Sequence, residues 1–213
     1  MTTKRVIVLA AGVAAWACNG STQPASPPFD LLKSGGDAQN WYFNNALPTP
    51  LSVTAVDVSG HPVPGVLVTW AVTGQGGVSP AQSTTNASGV ATTIDSLGSS
   101  TLQRVAASFT GLANAATFTE VGSLPPTAAD VSVAEFSFSP QGVVIQTGGT
   151  VTWTWGGSVA HDVTYDGGPT PRPTNSATQI TGTHQNTITI VGRYTYHCTQ
   201  HPTQMTGSVT VVH

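Results

Sequence analysis

Gly192-Arg193-Tyr194-Thr195-Tyr196-His197-Cys198-Thr199-Gln200-His201-Pro202-Thr203-Gln204-Met205-Thr206-Gly207 alternates up to its cysteine and then breaks. A period of two places Tyr194, Tyr196 and Cys198 on one face of a strand and Thr195 and His197 on the other. The spacing predicts a core strand ending at an inward-pointing Cys198, then a loop that offers His201 and Met205 before the chain turns at Gly207 into its last strand. A thiolate, an imidazole and a thioether thus fall within one short segment, and Met205 is the only methionine besides the initiator. Soft sulfur ligands combined with imidazole select copper, and a trigonal His₂Cys set with a long, weak Met contact is the arrangement of electron-transfer copper sites.

Such a set needs a second imidazole. Val159-Ala160-His161-Asp162-Val163-Thr164 supplies it, because His161 follows the alternating strand of Val151, Trp153 and Trp155 as a ligand on a neighbouring strand would. Cys198 alone would read as an inert core residue; with His161, His201 and Met205 in register it reads as a ligand. His197 points away from the site by alternation. His184 before a strand, His61 in a turn and His213 at the terminus read as solvated, and Trp153 and Trp155 as core rather than an electron relay.

Here the residues resemble a known family. Phe136-Ser137-Phe138-Ser139-Pro140, Gly149-Thr150-Val151-Thr152-Trp153, Ala160-His161-Asp162-Val163 and the block from Tyr196 to Gly207 are similar to cupredoxins of the plastocyanin, pseudoazurin and amicyanin group, over essentially all of residues 130 to 213. The resemblance implies a Greek-key β-sandwich around one copper ion cycling between Cu(I) and Cu(II). It implies His161 and His201 as imidazole ligands, Cys198 as the thiolate and Met205 as the axial sulfur, with Asp162 and Thr199 beside them. Gln200 stands where the family commonly has Pro, and Asp162 where it often has an Asn that ties the two ligand loops together. Both departures are expected to tune potential and rigidity. In the family the outer His, here His201, lies in an apolar surface patch where electrons enter or leave, and Pro202 fits that reading.

A site with every position filled leaves none open for a substrate, unlike catalytic metal sites. An electron carrier is therefore expected and an enzyme is not; no His-x-His pair for further copper centres occurs in the sequence. Copper trafficking or storage could use the same ligands, and an adhesive module with a vestigial copper fold is a third reading.

Upstream, Leu31 to Val121 shows no helical period. Val66, Val68, Trp70 and Val72 share one face and Leu67, Thr69, Ala71 and Thr73 the other, while Ser59-Gly60-His61-Pro62, Gly74-Gln75-Gly76-Gly77 and Asn86-Ala87-Ser88-Gly89 read as turns. Short strands at that spacing predict a β-sandwich. The run from Asp57 to Trp70, with Thr84-Thr85-Asn86-Ala87-Ser88-Gly89-Val90-Ala91-Thr92, resembles the bacterial immunoglobulin-like domain of the invasin and intimin type, which implies a spacer or adhesive module. No clustered His, Cys or carboxylate is legible in this half. The expected organisation is all-β, two sandwiches in tandem: an Ig-like unit at 31–121, a proline-stiffened linker at 122–130 and a copper-binding unit at 131–213. In the second unit, Val131 to Pro140 reads as one alternating strand with Phe136 and Phe138 on the same face, and Gly167 to Asn175 as loop.

The chain opens on Lys4 and Arg5 before the apolar stretch from Val6 to Ala17, a pattern read as an export signal over 1–17 and too short to span a bilayer. Its end, Ala15-Trp16-Ala17-Cys18, resembles the lipobox of bacterial lipoproteins. That resemblance implies lipidation of Cys18, a flexible tether over 18–30 and, from Asn19, the outer membrane; plain cleavage near Ala17 is the alternative. Cys18 and Cys198 are the only cysteines, so lipidation would leave Cys198 without a disulfide partner, and a bridge between them is open if lipidation fails. Only 7% of residues are charged, the net charge is −3, and no run of Lys or Arg follows Arg5. Nucleic acid is excluded as a partner on that ground. The expected partner is a redox protein of the cell envelope, a cytochrome or another electron carrier, with membrane contact through the lipid anchor alone.

Overall fold

The computed structural model describes residues 26–213. The stretch read as an export signal, 1–17, with Cys18 and the first part of the expected tether, lies outside the described residues. Among the described residues the regular structure is entirely β, and no helix is long and apolar enough to cross a membrane.

The first unit carries β1 (Asp30–Gly35), β2 (Asn40–Tyr42), β3 (Leu51–Val56), β4 (Leu67–Thr73), β5 (Gly77–Ser79), β6 (Gln82–Thr84), β7 (Val90–Ser96), β8 (Leu102–Ser108) and β9 (Ala116–Ser123). They form one sheet in the order β1-β3-β7-β5 and another in the order β2-β9-β8-β4-β6. Leu51, Val53, Val68, Trp70, Val105 and Phe118 fill the space between them. The alternation read on β4 holds: Val68 and Trp70 are buried while Leu67, Thr69 and Ala71 face water. The tether ends earlier than expected, because Phe29 N already donates to Val56 O at 2.7 Å.

At one end of this sandwich the usual pattern is inverted. Ile94, Leu102 and Val121 face outward, and their neighbours Asp95, Gln103 and Glu120 face inward with no exposure. The sequence reading singled out neither of these two carboxyls, which the sandwich buries on either side of Gln103. Gln103 Nε2 donates to Asp95 Oδ1 at 2.6 Å, and Glu120 pairs with Gln103 across β8 and β9. Burial raises Asp95 to about 6 and Glu120 to about 7.

The second unit carries β10 (Ala128–Ala134), β11 (Ser137–Ser139), β12 (Gly142–Gln146), β13 (Gly149–Trp155), β14 (Thr164–Gly167), β15 (Gly182–Ile188), β16 (Gly192–His197) and β17 (Thr206–Val212). Its sheets run β11-β10-β13-β15 and β12-β17-β16-β14, with β10/β13 and β12/β17 parallel. Trp153, Tyr194, Tyr196, Ile145 and Val209 are among the side chains packed between them, so Trp153 and Trp155 are core, as expected. β9 runs to Ser123 and β10 starts at Ala128, so the stretch between strands is confined to 124–127, shorter than the expected linker. The two units also touch: Asn45 Oδ1 accepts from His213 N at 3.0 Å, and Asn45 Nδ2 donates to His213 O at 3.3 Å.

Two local expectations fail. Val131 to Pro140 is not one strand, because the chain reverses at Glu135-Phe136, where Phe136 takes a φ of 56° and Ala134 pairs with Ser137. Phe138 stays buried and Phe136 is half exposed. His184 lies inside β15, partly buried, with Nε2 2.9 Å from Thr174 O, rather than at a solvated turn.

Candidate metal centre

Three loops meet at one end of the second sandwich. Strand β16 delivers Cys198, fully buried, one residue past its last paired position. The segment after it folds tightly back: His201 N donates to Cys198 O at 3.0 Å, Met205 N to His201 O at 2.9 Å and Cys198 N to Met205 O at 3.0 Å. These bonds hold the backbone of Cys198, His201 and Met205 in one small ring of contacts. The Met205 side chain is fully buried in the same cluster as Cys198.

His161 arrives from the connection between β13 and β14. Its backbone is held on both sides, by reciprocal 3.0 Å bonds with Gln179 and by Trp155 Nε1, which donates to His161 O at 2.9 Å. The ring is fully buried. Its Nδ1 lies 3.7 Å from Cys198 Sγ, and His201 Nδ1 lies 3.9 Å from the same sulfur. One donor atom from each of the three residues falls within 4.8 Å of the others. Burial first, then the neighbouring His201, holds the His161 imidazole below its ordinary pKa. A neutral ring keeps the lone pair a metal requires.

Asp162 lies next to the ligand and is 2% exposed. Its Oδ1 accepts from Thr199 N at 3.1 Å and from Thr164 Oγ1 at 3.0 Å, and its Oδ2 accepts from Thr199 Oγ1 at 2.5 Å. The carboxylate thus joins the His161 segment to the loop after Cys198. His197, by contrast, faces the surface, with Nδ1 2.8 Å from Asp166 Oδ2.

Phe136 and Glu135 were missed from the sequence, and the turn explains why. The Phe136 ring meets His201 edge-on at 4.7 Å between centroids and His161 at 6.3 Å, so it covers the imidazoles rather than the core. Period-two counting assigned it inward, and only the reversal at Glu135-Phe136 carries it to the site.

One thiolate and two imidazoles at this spacing fit a single soft or borderline ion, and the donor chemistry favours copper. The family match agrees. Residues 126–212 match the family model of copper binding proteins, plastocyanin/azurin family. No curated protein matches the chain. Among solved structures, the chain is similar to a novel purple cupredoxin from Nitrosopumilus maritimus, at 29% identity and TM-score 0.36 over 39% of this chain and 99% of that one. It is similar to the reduced Cu(I) form at pH 4 of an amicyanin mutant, at 29% identity and TM-score 0.36 over 40% and 82%. It is also similar to a pseudoazurin from Sinorhizobium, at 22% identity and TM-score 0.35 over 40% and 74%.

Proposed function

We propose that this chain, whose second unit is a cupredoxin domain with a His161, Cys198 and His201 site for one copper ion, is a one-electron carrier of the bacterial cell envelope. The observation that carries the proposal is the convergence of two imidazoles, far apart in sequence, on one buried thiol. Copper bound there supplies exchange between Cu(I) and Cu(II). The protein's own part is to keep the ligands from moving as the charge changes. It does so by fixing His161 between Gln179 and Trp155, and the Cys198 loop through Asp162. Met205, buried beside Cys198, is assigned the axial sulfur, and Asp162 with Thr199 the role of joining the ligand loops.

Full burial of Cys198 and His161, with His201 alone reaching toward the surface, supports a carrier over an enzyme. His201 is the less buried imidazole, and Phe136 and Pro202 make its surroundings apolar, as suits brief contact with a redox protein. The export signal and the lipobox-like Cys18 support an envelope location with a lipid anchor. The first unit, Ig-like in its motifs, is assigned the part of a spacer between anchor and copper domain.

The test is visible absorption and EPR of the copper-loaded chain beside Cys198→Ser. An intense thiolate-to-copper band, present in the parent and abolished in the variant, is expected. A colourless parent protein under oxidising conditions would refute the proposal.

A further inference from the structure

One nitrogen at the centre is left without a partner. His161 Nδ1 faces the thiol, while Nε2 is sealed from water and has no hydrogen-bond partner. The nearest charged group is the Glu135 carboxylate, whose Oε2 lies 3.9 Å from that nitrogen. Metal-ligating histidines almost always donate their second ring N–H to a carboxylate, a carbonyl or a water, and that partner fixes tautomer, ring angle and basicity.

Glu135 is built into this place. Its Oε1 accepts from Ser158 N and from Ser158 Oγ, the latter at 2.7 Å, so one oxygen is anchored on the loop leading to His161 and the other is aimed at the ring. A Cβ on Gly157 would fall 2.9 to 3.1 Å from the carboxylate, so the loop backbone passes close against Glu135 here. The two-residue turn that carries Phe136 over the imidazoles carries Glu135 with it.

We propose that Glu135 is a positioning residue for His161: it accepts the Nε2–H, holds Nδ1 free for the metal, and through its negative charge biases the centre toward Cu(II). The proposal rests on the copper reading above. The carboxylate and the imidazole need to approach by about an ångström to reach hydrogen-bond distance. The Glu135 side chain is 41% exposed, and rotation about its Ser158-held oxygen is the motion the proposal requires. A carboxylate makes the imidazole a stronger donor than a neutral partner does, and its charge stabilises the more positive metal state.

The test compares the full chain with Glu135→Gln, which keeps an oxygen for Ser158 and removes the charge. In the copper-loaded proteins the variant is expected to keep the thiolate band and to move the Cu(II)/Cu(I) equilibrium toward Cu(I) by about tenfold, which is about 59 mV for a one-electron couple. In the metal-free chain, long-range proton–nitrogen NMR should find the His161 proton on Nε2, and Glu135→Leu should weaken that preference. An intact band with less than a twofold change in equilibrium overturns the proposal, as does a parent His161 protonated on Nδ1. A parent chain with no thiolate band instead overturns the copper reading, and the redox half of this proposal with it.

Discussion

Raising the pH should loosen the first unit, through the carboxyls of Asp95 and Glu120. Both are wholly buried, and each has one oxygen with no hydrogen-bond partner. Burial raises Asp95 from 3.8 to about 6 and Glu120 from 4.5 to about 7. The folded chain therefore holds protons that the unfolded chain has already released, so stability falls as pH rises between the two sets of values. The stabilisation is fully present below the unfolded values and is lost once the pH passes the folded ones. At about 1.4 kcal/mol per pKa unit each displacement corresponds to at most roughly 3 kcal/mol. Relaxation and water entry screen buried charges, which brings the combined effect to about 2–4 kcal/mol. With a urea slope of about 1–3 kcal/mol/M, the midpoint should drop by about 1–2 M between roughly pH 4 and pH 8. The assay is urea unfolding of the metal-free chain, following the transition that reports Trp70, identified by its loss in Trp70→Phe. The double variant Asp95→Asn/Glu120→Gln should lose the pH slope. A midpoint that is flat or rises with pH in the parent chain, or an equal slope in the double variant, refutes the reasoning.

Asp162→Ala removes the bonds to Thr199 N, Thr199 Oγ1 and Thr164 Oγ1 that join the two ligand loops, and should lower the stability of the second unit by about 2–4 kcal/mol in thermal unfolding, while Asp162→Asn retains most of it. Gly207→Ala puts a Cβ 2.4 Å from the Tyr196 ring at the start of the last strand. The resulting overpacking should cost about 1–3 kcal/mol, read as a Tm lowered by about 4–8 °C per kcal/mol for a unit of this size.

Much of the centre was legible without coordinates. Cys198, His201 and Met205 sit in one segment whose alternation stops at the cysteine, and local pattern is enough to point the thiol inward and place the other two on a loop. Asp162 and Thr199 could be singled out because each adjoins a residue of that donor set. The sandwich of the first unit was equally legible on β4, where every second residue is apolar.

Tertiary structure alone decided what depends on a reversal or on an inverted face. Phe136 continues a period-two run, yet a turn at positive φ removes it from the core and sets it over His201, with Glu135 aimed at His161. Ile94-Asp95, Leu102-Gln103 and Val121-Glu120 each pair an apolar with a polar residue, and alternation permits either to face inward. The chain's own sequence set the period of its strands and the chemistry of its donors, because both are local properties. Which of two alternating faces turns inward at Asp95, Gln103 and Glu120, and where a reversal sets Glu135 and Phe136, was fixed by the packing of one sheet on another, where the free energy of burial is shared among residues far apart in the chain.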